Sequence, residues 1–302
     1  MTAYLIRFHR WITLIFAVPL AVIIVSGLIL SFEPIANDRH FTGRSVSLAS
    51  IEQALAKHDP DKKASVLNVR AYENVAVILE GRGGLAKRVD LATGNLVPAT
   101  TTLWSDTLLT MRRLHQDLLY DLRWVVDWST IAMLVSMVFG VLMGWPHFRN
   151  TLGGWHRGTA WVLMPLLFLS PLSGLAIAYG ITFAVPPPKV DGPSVPLHDA
   201  VKIVAAKHDL ASVVWIRPQG GATRVRLYDG REAKTFAVTR AGLVDGPQSW
   251  PRVLHEGVWA GAWSGILNII ISIGLMGLLG TGLTIWARRN LRHRASRVRS
   301  AA

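Results

Sequence analysis

Four long apolar runs divide the chain: Trp11 to Phe32, Trp124 to Trp145, Thr159 to Ala184 and Gly261 to Trp286. Each has the roughly 20 residues that a helix needs to cross a hydrocarbon core. Trp11, Trp124, Trp145, Trp161, Trp263 and Trp286 sit near the ends of these runs, where amphipathic rings favour the headgroup layer. After the first run the pattern changes. A helix-like stretch ending in Ala56-Lys57-His58-Asp59 leads into alternating segments at Val66–Tyr72, Val75–Glu80 and Arg88–Thr93. After the third run, a stretch ending in Ala206-Lys207-His208-Asp209 leads into Val213–Arg217, Thr223–Tyr228 and Thr235–Thr239. Turns are expected at Gly94-Asn95 and Ala241-Gly242, before Leu96-Val97 and Leu243-Val244.

The pattern predicts an α-helical integral membrane protein, a four-helix transmembrane bundle with two small α+β domains outside the bilayer. The expected division is a first span in 1–35, a domain in 36–104, a second span in 105–146 and a connecting loop in 147–156. A third span in 157–184, a second domain in 185–250, a fourth span in 251–287 and a tail in 288–302 complete it.

The halves match in detail. His9 to Gly27 and His156 to Gly174 are both 18 residues apart, and His115 to Gly140 and His255 to Gly280 are both 25 apart. The first pair of intervals ends in Ser-Gly each time, at Ser26-Gly27 and Ser173-Gly174. Two repeats that each begin and end on the same side of the membrane have the same orientation, so a pseudo-twofold axis along the membrane normal is expected. Equivalent histidines then meet across it, His9 with His156 and His115 with His255.

Charge sets the orientation. The 302 residues carry a formal net charge of +13, although 51% of them are apolar. Residues 1–10, 146–158 and 287–302 hold ten arginines and no acidic residue, which predicts that these segments and both termini are cytoplasmic. The basic balance is thus accounted for by topology and lipid contact, without nucleic acid. The first run is too long for a cleaved signal peptide and is expected to remain as an anchor. With no cysteine, disulfides, thioether-linked haem, iron–sulfur clusters and thiolate nucleophiles are excluded.

Ionisable residues at membrane spans are costly unless used, and four histidines in two depth-matched pairs point to metal ligation. Imidazoles approaching from opposite helices suit the axial positions of a b-type haem. Gly27, Gly140, Gly174 and Gly280 would clear space for a flat macrocycle, or allow close helix packing. Zinc is the competing metal. It requires four ligands, and only the outer pair has acidic neighbours to complete such a shell, in Asp117, Asp121 and Glu256. His147 is the first substitute ligand for the inner site. His58 and His208 are expected at helix ends, His40 and His198 in loops, and His293 in the basic tail. A continuous second helix would carry His115, nine residues before Trp124, about 13 Å beyond the hydrocarbon edge.

The motifs His9-Arg10-Trp11, Leu114-His115-Gln116-Asp117-Leu118, Trp155-His156-Arg157 and Leu254-His255-Glu256-Gly257 occur in order across nearly the whole chain. In them the chain resembles the PepSY-associated transmembrane family, bacterial inner-membrane proteins that include ferric-siderophore reductases. It departs from the pattern at Gly158, where an aromatic residue is usual, and its extramembrane loops are short for siderophore-reducing members. The resemblance implies PepSY-like modules outside the membrane and two non-covalent b haems on His9 with His156 and His115 with His255. It also implies an oxidoreductase that moves electrons from the cytoplasmic side to an external acceptor such as an Fe(III)-siderophore. The absence of a flavin or nicotinamide fingerprint leaves the donor to a quinol, a reduced flavin or a reductase protein. Two other readings stand beside this one: a non-catalytic membrane anchor whose modules regulate a peptidase, and a transporter of haem or metal.

Overall fold

A computed structural model describes residues 2–36, 45–81, 84–98, 103–145, 148–184, 193–229 and 231–301. Four of its helical segments are long and apolar enough to cross a membrane: Ala17–Ala36, Arg123–Leu142, Leu152–Ala178 and Ala262–Arg292. The chain divides into two compact units. One comprises Met1–Ser31, Thr107–Ile181 and Ile266–Ala302, and the other Phe32–Asp106 with Thr182–Gly265.

In the helical unit the first apolar run is two helices, α1 (Thr2–Ile15) and α2 (Ala17–Leu30), with a short α3 (Glu33–Ala36) after them. The break at Phe16 has a local cause. Pro19 lacks an amide to donate to Ile15, and its ring crowds that carbonyl, so the ladder is interrupted one turn upstream of the proline.

The second span is also divided. Helix α5 (Leu103–Asp117) ends before α6 (Arg123–Leu142), and between them Leu118, Leu119 and Asp121 adopt positive φ angles of 54°, 70° and 53°. Side chains with a Cβ rarely take this conformation. The turn is held by the Leu122 amide donating to the Asp117 carbonyl at 2.9 Å and the Leu119 amide donating to the Asp117 carboxylate at 3.0 Å. The second span is therefore not one continuous helix.

Helix α7 (Leu152–Ala178) begins earlier than its apolar run, capped by the Thr151 hydroxyl accepting from the Gly154 amide at 3.1 Å. Trp155 and His156 thus lie on helix rather than in the expected loop. Helices α2, α6, α7 and the long last helix meet around Leu20, Ile24, Leu167, Ile271 and Leu275. Ser26, Ser129 and Ser173 are buried there, each donating its hydroxyl to a carbonyl four residues earlier, so that small residues pack without an unmet polar group.

The second unit carries α4 (Leu48–His58), then β1 (Val66–Arg70), β2 (Val75–Leu79) and β3 (Lys87–Asp90). After the third span come α8 (Leu197–Ala205), β4 (Val213–Gln219), β5 (Ala222–Tyr228), β6 (Ala233–Thr239) and β7 (Gly242–Asp245). The two expected small domains are in fact one. Their strands join into a seven-stranded sheet of order β3-β2-β1-β4-β5-β6-β7, through the pairs Leu67↔Ile216 and Asn68↔Trp215.

Helices α4 and α8 lie on one face because their apolar residues recur at helical spacing: Ile51, Ala54 and Leu55 on the first, Leu197, Ala200, Val201 and Val204 on the second. The halves are also clasped by polar contacts. His198, the second residue of α8 rather than a loop residue, donates from Nε2 to Asp59 at 3.0 Å, and the Asp59 carboxylate also accepts from the Lys63 and Ala64 amides. Burial alone would raise the pKa of Asp59, but the hydrogen bonds outweigh it and hold the carboxyl below its ordinary value.

The fourth expected span is divided as well. A short α9 (Trp250–Glu256) ends at Gly257, whose φ of 65° closes the helix, and the long α10 (Ala262–Ala301) follows.

Candidate functional site

His9 on α1 and His156 in the second turn of α7 come together within the helical unit. Their ring centroids are 6.4 Å apart and the planes cross at 73°. Consider a metal held in line by both imidazoles, with bonds of about 2 Å and about 1.2 Å more from ring nitrogen to ring centre. It would separate the centroids by about 6.3 Å. The observed spacing is of the size that two imidazoles sharing one metal would need.

The tautomers fit too. His9 Nδ1 lies 2.9 Å from the Ser136 carbonyl oxygen, which only accepts, so the imidazole donates from Nδ1–H and the lone pair is on Nε2. His156 Nδ1 lies 2.8 Å from Thr281 Oγ1. That hydroxyl already donates to the Gly277 carbonyl at 2.7 Å, so it accepts from Nδ1–H and again leaves the lone pair on Nε2. Metal-bound histidines are commonly oriented in this way by an acceptor behind the ring. The Nε atom of Arg10, next to His9, is buried without a hydrogen-bond partner. A carboxylate at this level would satisfy it.

His115 is also in the helical unit, brought back against α2 by the turn at Leu118–Asp121. Its Nδ1–H donates to the Ile23 carbonyl at 2.9 Å, with Ser26 Oγ at 3.2 Å. Gly27 permits this approach: a Cβ there would lie 3.0 Å from His115 Cε1. The glycine expected to clear a macrocycle thus clears an imidazole. At Gly140 and Gly280 an added Cβ would meet nothing within 4 Å. Ile23 follows His9 by 14 residues, so the two histidine levels are about 21 Å apart along α1 and α2 at the helical rise.

His255 is on α9, in the sheet unit, so the second expected pair is divided between the units. Of the acids considered for a zinc site beside it, Glu256 is held by Arg226 at 2.7 Å and Arg252 at 2.9 Å. Among the described residues, no three His, Cys, Asp or Glu side chains gather as a metal site.

His58 donates from Nε2 to the Gly94 carbonyl at 3.0 Å, and His208 lies 6.0 Å from the Phe236 ring, so both have structural settings. His40 and His147 lie outside the described residues, as does the side chain of His293. Sequence reasoning missed Ser136, Ile23 and Thr281 as partners of the histidines. Two of these act through a carbonyl, which every residue has.

Four helices long and apolar enough to cross a membrane, a histidine pair within the helical unit and a separate α+β sheet unit define a polytopic membrane protein. The chain belongs to the PepSY-associated TM region family, which it matches over residues 6–289. No curated protein matches the sequence.

Proposed function

We propose that the protein is a transmembrane electron-transfer protein of the bacterial inner membrane, with both termini cytoplasmic. It would hold two b-type haems, on His9 with His156 and on His115 with His255, and deliver electrons to a ferric chelate outside. The observation that carries the reading is the 6.4 Å separation of the His9 and His156 rings, with both Nδ1 atoms turned to acceptors.

When bound, haem b supplies the one-electron carrier that no side chain of this cysteine-free protein provides. The chain's own part is to hold and to exclude. Ser136 and Thr281 fix the ring orientations of His9 and His156 and make their Nε2 atoms stronger ligands. The Ile23 carbonyl does the same for His115. Arg10 would neutralise a propionate carboxylate at the inner level. Leu20, Ile24, Leu167, Ile271 and Leu275 keep water from the space between the levels. The repeat spacing of the second histidine pair and the sheet shared by the two halves support the reading of two parallel PepSY-like repeats.

The test is spectroscopic. Pyridine haemochrome analysis of the purified protein should give two haems b per chain, and His9→Ala and His156→Ala should each remove the same low-spin signal. A colourless protein would overturn the reading in favour of an anchor. If the haem is present but indifferent to every external Fe(III) chelate, while another acceptor drains it, the haem stands and the acceptor assignment falls.

A further inference from the structure

Two tiers of aromatic rings lie where α6 gives way to α7, at the end of the bundle that carries His9 and His156. Trp145 and Trp161 pair with ring centroids 4.9 Å apart, at the close of the second apolar run and the opening of the third, as rings of a headgroup layer do. Phe148 and Trp155 form an outer pair, with centroids 5.1 Å apart and planes crossing at 84°. Trp155 precedes Trp161 by six residues on α7, about 9 Å at the helical rise. The headgroup region adds only roughly 5–8 Å beyond the hydrocarbon. The outer rings therefore face water, and Phe148 and Trp155 are 60% and 54% exposed.

The loop that carries Phe148 is clamped on the first turns of α7. Trp155 Nε1 donates to Asn150 Oδ1 at 3.0 Å, and an added Cβ at Gly154 would overlap the Arg149 carbonyl. Phe148 packs on Gly158, where a Cβ would lie 3.2 Å from its Cδ2 atom. Two glycines thus let the loop lie against the helix, which fixes both rings. Rings set edge to face make a corner, a floor and an end wall for a planar ligand. Arg149, beside Phe148, is exposed, and its guanidinium engages no partner among the described residues. No acidic residue occurs between Asp127 and Asp191. The ligand that fits such a corner is flat, aromatic and anionic.

We infer that Phe148, Trp155 and Arg149 form the docking place of a reduced flavin mononucleotide. The inference rests on the proposed electron transfer and names its donor, because Trp155 is the residue next to His156. The isoalloxazine ring lies in the aromatic corner, and Arg149 pairs with the phosphate. Haem iron changes by one electron at a time; a flavin can give electrons singly, whereas a nicotinamide gives a hydride. Each reduced flavin gives two electrons, one after the other, to two ferric irons and two protons to water, and leaves as oxidised flavin.

Binding is tested on the full chain in uncharged detergent, with oxidised FMN and riboflavin as probes in titration calorimetry. The wild type should bind FMN, with affinity falling as salt rises, and should bind riboflavin, which has no phosphate, about tenfold more weakly. Trp155→Ala should weaken both probes about tenfold or more. Arg149→Ala should bring FMN down to the affinity of riboflavin and leave riboflavin unaltered. Lys57→Ala, at a remote exposed lysine, should change neither. Absence of FMN binding by the wild type, or FMN affinity unaltered by Arg149→Ala, overturns the docking place even if Trp155→Ala fails to fold. If FMN binds through these residues while the purified protein holds no haem, the docking place stands and the electron-transfer reading falls. Should reduced FMN reduce the haem equally fast in wild type, Trp155→Ala and Arg149→Ala, the docking place falls and the electron-transfer reading stands.

Discussion

The sheet unit buries Ile51, Ala76, Val89, Ala200, Val201, Val204, Ile216 and Val225 with no exposed surface, while among the described residues the helical unit has no apolar side chain so completely enclosed and instead encloses Ser129. The difference follows from the solvent each unit works against. An amphipathic helix on a sheet gains stability by removing apolar area from water. A span surrounded by lipid gains little by exchanging lipid for leucine, so its packing depends on small residues and satisfied hydrogen bonds. Histidines placed in such a bundle are positioned by carbonyls and hydroxyls, as His9, His115 and His156 are.

This contrast is breakable in four ways. The largest effect expected is from His156→Ala, which should abolish the low-spin haem signal shared with His9 while leaving amide-exchange protection in β1 and β4 as it was. Loss of protection in the strands would show that the units do not stand independently. Leu55→Ala should do the reverse, destabilising the sheet unit by about 2–5 kcal/mol, read from exchange in α4 and β1, with unchanged haem content. If haem is lost as well, the sheet core also supports the cofactor site.

A smaller effect is expected from Thr281→Val, which removes the acceptor behind His156. Haem affinity should fall about 10- to 100-fold, and Thr281→Ser should restore it. An unaltered affinity would mean that packing, rather than this hydrogen bond, orients the ring. The smallest effect concerns acid. Because Asp59 is held below its ordinary pKa, its contribution is present above the unfolded-state value and is lost as pH falls through the lowered one. Acid unfolding of the sheet unit should therefore be less steep below about pH 4 in Asp59→Asn. An identical acid limb in wild type and variant would remove Asp59 as a stabilising group.

What could be read in the sequence was whatever is local or repeated. The spans were legible because membrane crossing is a matter of consecutive apolar residues, and the strands because alternation is a property of neighbours. The His9–His156 partnership was legible because the repeat placed both residues at matching steps, 147 positions apart.

The turn at Leu118–Asp121 was hidden, since it contains neither glycine nor proline and its positive φ angles are maintained by contacts rather than preferred by its residues. It alone decides that His115 lies against Ile23 and Ser26 instead of one extended helix farther out. The joining of β1 to β4 was hidden for a related reason. Strand pairing uses backbone groups that every residue offers, so composition shows that strands exist and not which of them meet. The orientation of the histidines belongs to the same class: the sequence determined which imidazoles are present and at what spacing, and only the packed helices decided that Ser136, Ile23 and Thr281 would face their Nδ1 atoms.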